Sequence, residues 1–181
     1  RDEIIVNVLG LNHFTWFDSA SYKGIDLFPV YRSFIEKHFE EGFEEKDKNW
    51  MNSTFSCAHR VKFDLFKKYG WIAAAGDRHL AEFMPPIYLK DPETVASWKF
   101  GLTTVTWRKE DLKKRLEKSK RLVSGEEQVE LNPSGEEGIL LIKALCGLTR
   151  VISNVNIPNT AGQIPNLPKS AVVETNAVFS R

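Results

Sequence analysis

A chain of 181 residues with 42% apolar and 27% charged residues can bury one substantial core, and no internal repeat or low-complexity tract divides it. Its 25 basic residues against 24 acidic ones give no net attraction for nucleic acid or an anionic bilayer, and no apolar run reaches membrane-spanning length. Two widely separated cysteines and an N-terminus unlike a secretory leader point to a reducing cytoplasm.

The β-branched run Ile4-Ile5-Val6-Asn7-Val8-Leu9 predicts a short strand that ends where Gly10-Leu11-Asn12-His13 turns the chain. At such a strand end a neutral His13 imidazole can ligate a divalent cation, and the Asn12 amide can both donate to and accept from a substrate hydroxyl. A hydrogen-bonded histidine near a core fits the same residues. Tyr22 to Asp26 reads as a turn. From Leu27 to Phe39, Phe28, Tyr31, Phe34, Ile35, His38 and Phe39 recur at helical spacing. Glu40 to Asn49 carries seven charged residues and predicts a solvated helix end or loop. A second helix over His59 to Tyr69 buries Val61, Leu65 and Phe66, with Gly70 as its left-handed cap.

The small residues of Trp71-Ile72-Ala73-Ala74-Ala75-Gly76 allow close backbone approach and deliver Asp77, Arg78 and His79 together. Glu82 follows His79 by three positions, so on a helix its carboxylate can orient the imidazole. The alternative is that Asp77 caps that helix while Arg78 and Glu82 are surface groups. Pro85-Pro86 closes the segment. Phe100 to Val105 reads as a strand-like or buried piece. Arg108 to Glu117 forms a charged helix whose pairs Glu110 to Lys114 and Glu117 to Arg121 suit an exposed face, with Ser124-Gly125 ending it. Glu126 to Gly135, with Pro133 and Ser134, reads as a loop. A helix from Glu136 to Leu148 is expected to bury Ile139, Ile142 and Leu145, with Cys146 a small core residue. Val151 to Ile157 is a β-type run, Pro158, Gly162, Pro165 and Pro168 chop the next stretch into short extended pieces, and Val172-Val173-Glu174 offers a further strand. Helices alternating with short strands at both ends give an α+β class, with helices packed on a small, mostly antiparallel sheet.

Several chemistries lack their signatures. No GxGxxG loop follows an apolar strand, no GxSxG elbow or zinc-finger spacing occurs, and no pair of carboxylates is marked as flanking a sugar.

GLNHFTW, AAGDRHLAEFMP and NVNIPNTAGQIPNLPKSAVVE, in that order, resemble the C-terminal half of glycoside hydrolase family 4, the NAD- and metal-dependent glycosidases. The form GDRHxxEF is most similar to the α-galacturonidase and α-galactosidase-like branch, and the likeness runs from about Val6 to the end. It implies that the chain is a single C-terminal substrate domain, 1–181, similar to that of lactate and malate dehydrogenases, with the NAD-binding Rossmann domain outside it. It implies hydrolysis of an α-glycoside (galacturonide, galactoside or glucoside) by oxidation at C3, deprotonation at C2 and elimination, with NAD⁺ and Mn²⁺ or another divalent metal. By resemblance His13 is a metal ligand, Asn12 holds a sugar hydroxyl, and Arg78 suits a uronate carboxylate. His79 matches the family's base, with Asp77 as the second choice. The family's other metal ligand is an upstream cysteine, and neither Cys57 nor Cys146 stands in such a context. The last motif is expected to pack beside the active site and to serve subunit contacts in a dimer or tetramer. Two readings stay open beside this one: the substrate domain of a lactate/malate dehydrogenase-like oxidoreductase, and a non-catalytic oligomerisation domain.

Overall fold

The computed structural model describes residues 3–44, 56–130, 132, 135 and 137–180. Glu45 to Asn49, Pro133, Ser134 and Glu136, on which some of the expectations fall, lie outside the described residues. The fold is α+β, as expected, with strands from both ends of the chain joined in one antiparallel sheet.

The β-branched run forms β1 (Ile4–Leu11), and a strand that the sequence did not announce, β2 (Phe14–Tyr22), returns beside it. Leu11 pairs with Phe14, so Asn12 and His13 alone make the connection. β3 (Ile25–Asp26) extends this edge, and the chain then enters α1 (Phe28–His38) and α2 (Arg60–Tyr69). Gly70 closes α2 in the left-handed region, its N–H donating to the Phe66 carbonyl. A two-residue strand, β4 (Ile72–Ala73), pairs with β2 at Phe17 and Trp16. Three short helices come next: α3 (Asp77–Phe83), α4 (Pro85–Tyr88) and α5 (Pro92–Ser97). Pro85 and Pro86 do not simply close a segment; they open α4, since the first helical turn needs no N–H from them.

Phe100 is buried and bridges to Cys57, but no strand forms through Val105, which instead starts α6 (Val105–Ser124). Thr104 caps α6 by accepting from the Trp107 N–H, and Gly125 ends it. Glu117 on this exposed helix pairs with Lys120, and Arg121 pairs with Glu127 rather than with Glu117. α7 (Gly138–Leu145) is a correction: Ile139, Ile142 and Leu145 are 67%, 57% and 65% exposed, and the small Ala144 is what the helix buries. Cys146 is likewise exposed rather than in a core. β5 (Val151–Pro158) and β6 (Val172–Phe179) pair along their whole length, and β6 joins β1 through Leu9 and Gly10, giving the order β3-β2-β1-β6-β5.

Two apolar clusters share α2. Val61 and Leu65 pack with Leu80, Tyr88 and Phe100, while Phe63 and Phe66 pack with Ile35 and Ile72. Because α2 is apolar on both sides, it fixes α3 relative to the β1–β2 hairpin. Two polar side chains do similar work at the far end of the chain. Asn176 accepts from the Val8 N–H at 2.7 Å and donates to the Val6 carbonyl at 3.1 Å, beside the bulge between Asn7 and Val8. Asn159, fully buried, donates to the Ile164 and Leu167 carbonyls and accepts from the Ile164 N–H, pinning the Pro-rich loop.

Candidate functional site

The hairpin connection presents His13 with a left-handed backbone, φ 64°, at an exposed apex. Gly10 makes this approach possible: a Cβ there would meet the Phe14 carbonyl oxygen at 2.5 Å. Across from it, β4 and the Ala74 N–H, which donates to the Thr15 carbonyl, bring α3 up to the same apex. His79, one turn short of the end of α3, therefore meets His13, ring centroids 4.7 Å apart and planes inclined by 31°. Phe14 and Phe83 stack beside them at 4.5 Å. His79 Nδ1 lies 3.5 Å from a Glu82 carboxylate oxygen, the contact that their spacing predicts.

Asn12 is exposed next to His13, and Arg78 donates from Nη1 to the Thr103 hydroxyl at 2.9 Å. Asp77 is placed differently from these neighbours. Its side chain is fully buried, and it does not cap its own helix, whose N-cap is Gly76. Instead its two oxygens accept from the Val61 and Lys62 N–H groups at 3.2 and 3.1 Å, capping α2. Burial raises the Asp77 pKa to about 6, opposed by these N–H donors and by Lys62. Burial in turn lowers the pKa of Lys62, whose ammonium reaches the Ala74 carbonyl.

Sequence reasoning passed over a second group. Cys57, His59 and Asp77 place one ligand atom each within 4.8 Å of one another, the sole such trio with Cys, His, Asp or Glu found among the described residues. The Cys-Ala-His spacing was the available signal, but Asp77 reaches it only through the fold. An aromatic cleft of about 470 Å³, lined by Phe14, Trp16, Tyr69, Trp71 and Met84 with Asp18 at its side, contains neither His13 nor His79. No helix among the described residues is long and apolar enough to cross a membrane.

Residues 8–181 match the model of the family 4 glycosyl hydrolase C-terminal domain. An alpha-galacturonidase of Lachnoclostridium phytofermentans is 75% identical over the whole chain, which spans 39% of that protein's length. The crystal structure of lplD from Bacillus subtilis superposes with a TM-score of 0.88 at 50% identity, over 99% of this chain and 41% of that one. A 6-phospho-alpha-glucosidase from gut microorganisms, in complex with NAD and Mn²⁺, shares the fold with a TM-score of 0.59 at 18% identity, covering 99% of this chain and 39% of its own.

Proposed function

Since this chain belongs to glycosyl hydrolase family 4, as its C-terminal domain, we propose that it supplies the His13–His79 side of a site that hydrolyses α-galacturonides. The observation that carries this reading is the meeting of two sequence-distant motifs: the hairpin histidine and the GDRH histidine share one exposed edge. The 75% identical alpha-galacturonidase supports the uronide over the galactoside or glucoside.

Manganese and NAD⁺, when bound, would supply Lewis-acid polarisation at the C2 and C3 oxygens, worth several kcal/mol, and reversible hydride acceptance at C3. The donor set fits a cation in part: His13 offers an exposed imidazole nitrogen beside a second imidazole. His13 would hold the metal, with the remaining ligands and most of the NAD⁺ contacts coming from outside residues 1–181. His79 takes the proton from C2 as the C1 leaving group departs. With Nδ1–H donated to Glu82, the lone pair stands on Nε2, the tautomer a base requires. Asn12 holds a sugar hydroxyl. Arg78, steadied by Thr103, has five N–H donors and the planar fork that a uronate carboxylate matches. Asp77, without exposed surface, serves as a positioning residue rather than the base. The protein works as a homo-oligomer, a reading supported by the exposed apolar face of α7, and in the cytoplasm, a reading supported by the free thiols of Cys57 and Cys146.

The test is solvent exchange at C2. In D₂O the full-length enzyme with its cofactors is expected to place deuterium at C2 of the product galacturonate, and His79→Gln to lose that exchange by at least about a hundredfold. Undiminished exchange in the variant would remove His79 from the proton transfer.

A further inference from the structure

We propose that Cys57, His59 and Asp77 form a divalent-cation site of zinc type, which ties the Cys57 bridge and the start of α2 to the helix that carries Arg78 and His79. Thiolate, imidazole and carboxylate together are the donor set of a borderline-soft ion. The Cys57 sulfur and His59 Nδ1 stand 3.8 Å apart. Zn–S and Zn–N bonds of typical length at a tetrahedral angle separate the two ligand atoms by about 3.6 Å, so this pair already stands near ligand spacing, whereas the separation of up to 4.8 Å within the trio requires a side chain to close in by about 1 Å.

The backbone supports this placement. His59 holds φ at 59°, a left-handed conformation that is uncommon for a residue with a Cβ, and this turns its ring back toward Cys57. Cys57 and Phe100 form the bridge that anchors this stretch, and Asp77 arrives from α3. Asp77 accepts from the Val61 and Lys62 N–H groups, one on each oxygen, and the Arg60 N–H acts on it as well, which leaves one carboxylate lone pair for a metal. Lys62 is the competing cation, and its ammonium reaches the Ala74 carbonyl. Binding displaces the Cys57 thiol proton to solvent.

The ion would be structural, since Asp77 has no exposed surface. Its position next to Arg78 and His79 makes it a positioning element for α3. The proposal concerns residues other than His13, and it stands or falls independently of the glycosidase reading. The test uses the full-length protein stripped with chelator and titrated with Co²⁺ alone as the spectroscopic probe. In His13→Ala, which removes the histidine partner of the family's upstream cysteine, a thiolate-to-cobalt charge-transfer band is expected that vanishes when Cys57→Ser is added and is displaced by one equivalent of Zn²⁺. His59→Ala is expected to weaken Zn²⁺ binding at least tenfold. Circular dichroism of Cys57→Ser in chelator, matching the parent, separates a lost ligand from a lost fold. A His13→Ala protein without the band, or a band that survives in the double variant His13→Ala/Cys57→Ser, would overturn the assignment.

Discussion

The His13 and His79 rings face each other at 4.7 Å although they stand 66 positions apart in the sequence, and β4, α2 and the Phe14–Phe83 stack hold the two segments in place. Neither ring is part of the core, so each can be removed without a cavity. His13→Ala and His79→Ala are expected to change the unfolding free energy by less than about 1 kcal/mol while reducing turnover by two orders of magnitude or more. Calorimetric Mn²⁺ titration divides the pair: His13→Ala loses affinity and His79→Ala retains it. Equal metal affinity in parent and His13→Ala would take His13 out of the metal site.

Gly10→Ala tests how the apex is built. The new Cβ would meet the Phe14 carbonyl oxygen at 2.5 Å and the Thr15 Cα at 2.9 Å, backbone atoms that cannot swing aside, at a φ of 147°. A loss of more than about 2 kcal/mol in stability is expected, with activity falling alongside it because His13 moves with the hairpin. Thermal unfolding of the variant at the parent temperature would contradict the close approach.

Local signals carried as far as local physics reaches. β-branching marked β1, apolar spacing and Gly70 marked α2, and the residue types of GDRH marked the start of α3. The mate of β1 was missed because Phe14 to Tyr22 mixes aromatic and polar residues without a turn pair of Asn-Gly type before it. The role of Asp77 was missed because its partners, the Val61 and Lys62 N–H groups, belong to another helix and no side-chain pattern records them. For α7, spacing revealed an apolar face but could not say what covers it.

That face gives a third expectation. Because Ile142 is 57% exposed, Ile142→Asp leaves little packing to lose, and the stability of the single subunit should shift by no more than about 0.5 kcal/mol. Association should weaken, since a charge would enter an apolar contact. Sedimentation velocity across a concentration series reads this directly, and an unchanged distribution would take α7 out of the subunit contact.

Asp77 makes stability depend on pH in the direction opposite to most carboxylates. Its carboxyl titrates at about 6 in the fold, against 3.8 when unperturbed, because burial penalises the anion more than the α2 N–H groups favour it. Between those two pH values the folded chain holds a proton that the unfolded chain has released, so the stability contributed by protonated Asp77 is present at the acid end. It is lost as pH rises toward about 6, by roughly 3 kcal/mol at about 1.4 kcal/mol per pH unit of separation. Other carboxylates titrate in the same range, so the informative quantity is the difference between the parent and Asp77→Asn, which cannot ionise there. In chelator, to keep cations off Cys57 and His59, the parent should gain on the variant as pH falls from 7 to 4.5. Denaturant unfolding at a series of pH values measures this, and a difference that stays flat would mean that Asp77 is ionised in the fold at little cost.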